Sequence, residues 1–316
     1  MKNIAKLIKL TLLVVSSTIM FSCSDDDSTT SSTNSISDVA SRNSDLSILV
    51  DALEKTDLLS VLGQNGSYTV FAPTNSAFNN FLDENNFNSL DEVPVGLLRE
   101  VLLNHVVVGA NLSSNLRTGY VKTLGKGNAS STNTLSMYIN TSDGVRLNGV
   151  SSVIIANIGA SNGVIHIVDA VIGLPTVVTH ALANPSFSSL VGALTSSGQP
   201  DFVGILSGSA NSPFTVFAPS NDAFATFESQ NPGTLGSLTS SQLTSILSYH
   251  VVAGANVLSN EIPSGPITTF ESGTFTISGT TITDEASRQT NIVAVDVQAA
   301  NGVIHVINNI ILPELN

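Results

Sequence analysis

Four of the five histidines are the residues best placed to do chemistry, because they recur at matching positions along the chain. His105 is matched by His250, and His166 is matched by His305. An imidazole can act as a general acid or base near neutral pH, or it can bind a metal through either ring nitrogen. The two pairs therefore allow either a chemical site in each half of the chain or packed rings whose nitrogens bind backbone groups.

The residues around these histidines favour a structural role. A zinc site needs three or four ligands, whereas the chain has a single cysteine. Carboxylates are not repeated with the histidines, since Asp169 follows one motif and Asn308 stands at the matching place. We therefore expect four structural histidines, with no metal, no cofactor and no catalytic residue. The fifth histidine, His180, has no counterpart in the first half and is interpreted as incidental.

A serine in a G-x-S-x-G pattern, with Ser161 between Gly159 and Gly163, is a second candidate for chemistry. Such a serine is a hydrolase nucleophile only when it sits on a turn from a strand into a helix. Here an apolar strand pattern follows the turn, and Ala300 replaces the serine in the second half. The Asn-Gly pair of a hairpin turn explains the segment better, and the sequence predicts that the protein is not an enzyme.

These candidates belong to a repeat of about 140 residues, as the spacing of three sequence blocks shows. TVFAPTNSAF at 69–78 returns as TVFAPSNDAF at 215–224, and HVVVGAN at 105–111 returns as HVVAGAN at 250–256. NGVIH at 162–166 returns at 301–305. Because solenoid repeats span only about 20–50 residues, two copies of this length predict two domains. The expected boundaries are 36–175 and 176–316.

The three blocks resemble the signature regions and the central histidine motif of fasciclin domains. The resemblance extends over both copies and implies an α+β fold, with a wedge of about seven strands and several packed helices in each domain. It also implies secreted or cell-surface modules that function in adhesion and matrix contact, without catalysis. We expect the same blocks to hold the structural motif of the fold: His105, His166, His250, His305, Pro73, Asn75, Pro219 and Asn221.

Local patterns predict a compatible α+β fold from the residues alone. Leu46, Leu49 and Leu53 have the spacing of an amphipathic helix. The segment 69–72 is a short β-branched and aromatic strand that Pro73 should end. Thr74 and Asn75, like Ser220 and Asn221, can cap the helix that follows.

The N-terminal segment predicts export and lipid attachment. Three lysines precede an apolar run at 10–21, which is typical of a secretory signal and short for a membrane span. The only cysteine, Cys23, follows this run and a small residue, so 1–22 is predicted to be a signal peptide cleaved before a lipidated Cys23. The acidic and Ser/Thr-rich segment 23–35 is predicted to be a tether, with Ser28 as a possible O-glycosylation site. This pattern is typical of lipoproteins exposed on the outer membrane of Bacteroidetes-type bacteria.

Composition excludes some partners and favours others. Eleven basic residues against 24 acidic ones give a net charge of −13, so the chain lacks the basic surface that nucleic acids require. We predict a non-enzymatic adhesion or matrix-contact module that binds a surface protein or polysaccharide. The alternative is a glycan-binding accessory protein of a nutrient-uptake system, which the absence of tryptophan disfavours. Since the second copy contains a single basic residue, we expect anionic contacts near Arg117, Lys122 and Lys126 of the first copy.

If Cys23 carries the lipid, Cys23→Ala should release the protein from membranes or leave it unprocessed, because stable attachment needs acyl chains. Detergent phase separation of the wild-type and Cys23→Ala proteins measures this directly. We expect wild-type protein in the detergent phase and the variant in the aqueous phase. Equal partitioning of the two proteins would contradict lipidation at this residue.

Overall fold

The structure is a computed structural model that describes residues 34–315, and these residues lie in one compact unit. Each copy of the repeat folds as a seven-stranded sheet with helices packed against it. The predicted α+β class is therefore confirmed. Within the described part of the chain, no helix has both the length and the apolar surface needed to cross a bilayer.

The first domain begins with three α-helices, and two more lie between its first and second strands. Its α-helices are α1 (Ile36–Ser41), α2 (Ser47–Lys55), α3 (Leu59–Gly63), α4 (Asn75–Glu84) and α5 (Val95–Asn104). Its strands are β1 (Tyr68–Pro73), β2 (Val106–Val108), β3 (Gly119–Gly127), β4 (Ser130–Asn140), β5 (Arg146–Leu147), β6 (Ser151–Ala160) and β7 (Gly163–Val168). Short 3-10 helices lie at Ser44–Leu46, Leu90–Glu92 and Ser113–Asn115.

The second domain repeats this order. Its α-helices are α6 (Val177–Ala183), α7 (Ser188–Leu194), α8 (Phe202–Ser207), α9 (Asn221–Gln230), α10 (Thr234–Ser237) and α11 (Ser240–Tyr249). Its strands are β8 (Phe214–Pro219), β9 (Val251–Ala253), β10 (Ile267–Thr268), β11 (Thr274–Ser278), β12 (Thr281–Thr283), β13 (Gln289–Ala299) and β14 (Gly302–Ile307). A 3-10 helix spans Pro185–Phe187.

Each sheet contains one parallel strand pair and is otherwise antiparallel. In the first domain β1 runs parallel to β7 and antiparallel to β2, and the strands close in the order β1 to β7. In the second domain β8 pairs in the same way with β14 and β9. Two of the repeated sequence blocks are thus neighbours in each sheet.

The predicted elements form with shifted ends. Leu49 and Leu53 are buried on α2 as their spacing predicts, but Leu46 lies just before the helix. Thr74 caps α4, because its hydroxyl accepts the Ala77 N–H at 3.2 Å. β1 ends at Pro73, as the sequence predicts, and the proline is itself the last residue of the strand.

The sequence predicts that the repeated Asn-Gly pair forms a hairpin turn, but only the asparagine lies in the turn between β6 and β7. The two turn residues are Ser161 and Asn162, and Gly163 already pairs in the sheet with Tyr68. A Cβ at Gly163 would overlap the Tyr68 carbonyl oxygen, and a Cβ at Gly302 would overlap that of Phe214. Glycine is required at both positions because the neighbouring parallel strand, β1 or β8, comes so close, and not because of the turn.

The two domains share a hydrogen-bonded contact between β3 and β4 of the first and the end of β13 in the second. The Gln298 N–H donates to the Ser136 hydroxyl at 3.0 Å, and the Ala129 N–H donates to the Ala300 carbonyl at 2.9 Å. Lys122 reaches the Asp296 carbonyl at 2.9 Å. We call this contact the domain seam.

The ring of His180 packs in the same seam. It is fully buried and meets the Tyr120 ring edge-on, with ring centroids 5.4 Å apart. Its Nε2 lies 3.4 Å from the Gln298 carbonyl oxygen. The interpretation of His180 as incidental is therefore wrong, because this residue of the second domain fills the contact with the first.

Candidate functional site

His105 and His250 each join the end of a helix to the last segment of their domain. The Nδ1–H of His105 donates to the Val101 carbonyl at 2.7 Å, and its Nε2 accepts the Ile172 N–H at 2.9 Å. His250 makes the same pair of bonds to Ile246 and Ile311, at 2.7 and 3.2 Å. Both ring nitrogens are used, one as donor and one as acceptor, which requires the neutral imidazole.

His166 and His305 hold the loop that follows the second strand of each domain. The Nε2–H of His166 donates to the Asn111 carbonyl at 2.9 Å, and its Nδ1 accepts the Asn157 N–H at 3.2 Å. His305 donates to the Val257 carbonyl at 2.9 Å, whereas its Nδ1 has no hydrogen-bond partner. Both side chains are fully buried and stack on the central strand, His166 against Phe71 and His305 against Phe217.

Burial sets the charge state of all five histidines. Desolvation lowers the pKa of His105, His180 and His250 to about 4. It also lowers the pKa of His166 and His305. In each case a hydrogen bond to a backbone carbonyl opposes this effect but is the smaller cause. The imidazoles are therefore neutral at pH 7, which suits the binding of backbone groups.

Asn75 and Asn221 cap a helix other than the one they begin. The Asn75 carbonyl oxygen accepts the Ile48 N–H at 2.9 Å, at the start of α2. Asn221 accepts the Ser189 N–H at 2.9 Å, at the start of α7. Of each predicted capping pair, Thr74 and Ser220 do cap α4 and α9, whereas the asparagine caps the other helix.

Pro73 and Pro219 lie opposite the ends of β7 and β14 in the parallel ladder. A proline has no N–H to donate, but the ladder continues for one more hydrogen bond after it. The next residue resumes pairing: the Thr74 N–H reaches the Val168 carbonyl at 3.2 Å. Each proline thus marks the change from strand to helix.

Asn162 and Asn301 are structural residues whose role the sequence reasoning missed. The Asn162 side chain accepts the Ile36 N–H at 2.8 Å and donates to the Leu62 and Gln64 carbonyls at 2.6 and 2.8 Å. Asn301 binds the corresponding helices of the second domain. Its recurrence was visible, but the groups that it binds are about 100 residues away along the chain.

The candidates for chemistry do not converge. Ser161 is exposed on a hairpin between two strands, not on a strand-to-helix turn. Among residues 34–315, no three His, Cys, Asp or Glu side chains gather where they could hold a metal. Cys23 and Ser28 lie outside the described residues.

The three basic residues of the first copy that charge distribution singled out have different hydrogen-bond partners. The Lys122 ammonium donates to Ser136 at 3.2 Å and to the Asp296 carbonyl across the domain seam. Burial lowers the pKa of Lys122. Lys126 bonds to the Ser131 carbonyl at 2.9 Å, and Arg117 bonds to its own loop. Lys122 thus takes part in the domain seam, and an anion contact at these three residues stays a prediction.

Comparison with known proteins finds one family in both domains. The family model described as Fasciclin domain matches residues 44–175 and 185–313. Protein sll1483 of Synechocystis is 38% identical over 146 residues, which cover 44% of this chain and 74% of that protein. A fasciclin-like arabinogalactan protein of Arthroderma benhamiae is 27% identical over 296 residues, covering 88% of this chain and 66% of that protein.

A solved FAS1 domain pair from the insect cell adhesion molecule Fasciclin I has a similar fold. The TM-score is 0.50 at 23% identity, with 85% of this chain and 92% of the insect chain covered. At this identity the likeness concerns the fold.

His166→Ala should destabilise the first domain by about 1–3 kcal/mol, because it leaves buried backbone groups unpaired. His305→Ala should cost less, since His305 makes one hydrogen bond where His166 makes two. Chemical denaturation of both variants measures the difference, and metal analysis of each purified protein is the control. Unchanged stability together with loss of a bound metal would show that the histidines are ligands.

Stability should fall as the pH is lowered from about 6.5 to 4.5, because unfolded histidines take up protons near pH 6.5 while the buried ones stay neutral. The stabilising effect of these depressed pKa values is complete above the unfolded pKa and is lost towards the folded value of about 4. Each histidine contributes up to about 1.4 kcal/mol per pH unit. Urea denaturation at several pH values tests this.

The opposite trend would contradict the prediction. A chain with a net charge of −13 should otherwise gain stability as the pH approaches its pI of about 4.5, because charge repulsion weakens. The sign of the pH dependence therefore distinguishes buried neutral histidines from exposed ones. Carboxylates titrate mainly below this window, near pH 4.

Proposed function

The chain belongs to the fasciclin domain family, and on this premise we propose that it is a non-enzymatic adhesion or matrix-contact module at the cell surface. Homologues with fasciclin domains are involved in cell adhesion and matrix contact, and the family is generally non-enzymatic. Fasciclin domain proteins are typically extracellular or surface-associated. The observation that carries the proposal is the match of both domains to this family.

The use of the repeated polar residues supports a binding role. Both ring nitrogens of His105, His250 and His166 form hydrogen bonds with backbone groups. Residues committed in this way make rigid loops, and rigid loops lose little conformational entropy when they bind a partner. The repeated motifs therefore build the scaffold, and the loops that differ between the two copies supply the contact surface.

The contacts at the domain seam support the proposal that the two domains bind a partner as one unit. Backbone and side-chain hydrogen bonds join β4 to β13, and His180 fills the space between them. Two binding surfaces held in one orientation can engage one partner with higher combined affinity than two independent surfaces. We propose that lipid on Cys23 attaches this body to the outer membrane of a Bacteroidetes-type bacterium, with the segment 23–35 as its tether.

A glycan-binding accessory role is the second candidate function. The specific observation in its favour is a cavity in the first domain with amide, hydroxyl and guanidinium groups in its wall. A polysaccharide of the matrix would satisfy either function, so the two candidates differ in whether the protein attaches cells or delivers a nutrient.

If the protein is an adhesin, bacterial cells that display the lipidated chain should attach to surfaces coated with collagen, fibronectin or whole partner cells more than cells without it. Cells that express Cys23→Ala are the matched control, because they make the same domains without the lipid. A glycan array probed with the purified protein runs in parallel. Unchanged attachment with a strong signal from neutral storage glycans would replace adhesion by the nutrient-uptake role.

A further inference from the structure

A cavity of about 230 Å³ opens in the first domain at the end of the sheet where β1 to β4 meet the loop after β2. Amide and hydroxyl side chains in its wall come from Thr69, Asn111, Asn115 and Thr118, and Arg117 is its one charged residue. The remaining wall is mostly apolar and includes Phe71, with Tyr120 as the residue that adds a phenol group. A cavity of about 150 Å³ holds a benzene molecule, so this one has room for a single monosaccharide unit.

The protein holds the wall of this cavity in place. His166 donates to the Asn111 carbonyl at 2.9 Å, and the Thr69 hydroxyl accepts the Asn111 N–H at 2.9 Å. Asn157 accepts the Ser113 N–H at 2.8 Å on the other side of the loop. The loop that carries the polar side chains is therefore positioned before any ligand arrives, which lowers the entropic cost of binding.

Arg117 is oriented by its own loop and has binding capacity left over. Its Nη1 donates to the Ser114 and Leu116 carbonyls at 2.6 and 3.0 Å. Among residues 34–315, ion pairs join Lys55 to Asp91 and Arg288 to Asp284, and Arg117 takes part in none. A planar guanidinium with unused N–H groups matches a carboxylate through two parallel hydrogen bonds.

The second domain packs the corresponding end of its sheet with aromatic side chains. Phe217, the counterpart of Phe71, meets Phe275 edge-on with ring centroids 5.0 Å apart. Tyr249 packs on Phe275 at 5.9 Å, in a single apolar cluster with the neighbouring strands. The loop after β9 contains no lysine or arginine.

The first domain has smaller or more polar residues at these places. Asn104 ends α5 where Tyr249 ends α11. Met137 pairs with β3 where Phe275 pairs with β10. Arg117 thus occurs in one copy of the repeat, since the matching loop of the second copy has no basic residue, and it is not a requirement of the fold.

We propose that this cavity binds an acidic sugar residue, with Arg117 on the carboxylate and the Asn111 amide oxygen and the Asn115 amide on the hydroxyl groups. A single arginine suits a monoanion better than a phosphate dianion. An aspartate or glutamate side chain of a partner protein would leave most of the cavity and its amide groups unfilled. The assignment deepens the proposed matrix contact by naming the chemistry of one ligand.

The test is a titration of the purified chain with D-glucuronate, D-galacturonate and D-glucose, followed by saturation-transfer NMR and calorimetry. We expect Arg117→Gln to weaken uronate binding at least about tenfold, the effect of losing one charge-assisted contact. Arg117→Lys should be intermediate, because it keeps the charge and loses the two-pronged geometry. Arg146→Gln is the matched control, since Arg146 is exposed in the same domain and bonds only to the Gly149 carbonyl.

Several outcomes would overturn the assignment. These are equal uronate affinity of wild-type and Arg117→Gln proteins, equal affinity for glucose and glucuronate, or no saturation by about 100 mM uronate. An aspartate-rich peptide that displaces glucuronate and binds more tightly would assign the cavity to a protein partner instead. Uronate binding without cell attachment would contradict the adhesion proposal alone, and attachment without uronate binding would contradict the cavity assignment alone.

Discussion

The structure depends on neutral polar side chains that are buried and bind backbone groups left unpaired by the helices and strands. Only 11% of the residues are charged, so the chain has few ion pairs with which to fix its loops. Asn162 instead joins the start of α1 to the end of α3, and His105 joins the end of α5 to the segment after β7. A buried N–H or carbonyl without a partner costs about 1–3 kcal/mol. Each of these side chains therefore secures more than one element at once.

This constraint decides what the histidines can do. A ring that donates from one nitrogen and accepts at the other has both its lone pair and its N–H proton engaged in hydrogen bonds. Neither is then available to a metal or to a proton transfer. The same bonds require the neutral ring, and burial keeps it neutral by lowering its pKa. His305 is the exception in the set, because its Nδ1 has no partner. Asp296, whose charge acts on His305, accepts a hydrogen bond from the Ser259 hydroxyl at 2.6 Å.

Much of the fold follows from the sequence because its signals are local or repeated. The spacing of Leu49 and Leu53 predicts α2, the hydroxyl of Thr74 predicts the start of α4, and the repeat predicts two domains. The errors concern partners distant in sequence. Asn75 caps a helix 27 residues away, and Gly163 is set by a strand nearly 100 residues upstream. No local sequence pattern predicts the domain seam, because the roles of His180 and Tyr120 depend on contacts between the two domains.

The two copies show how one scaffold can be divided between tasks. Their hydrogen-bonded histidines and asparagines are nearly superimposable in role, so the fold itself sets no difference between them. They differ where packing is free to vary: Phe275 and Tyr249 fill one end of the second sheet, whereas Met137 and Asn104 stand at these places in the first. Filling that end with aromatic rings adds buried apolar area and hence stability. A ligand that binds the folded first domain at the cavity beside Arg117 would stabilise that domain according to its affinity and concentration.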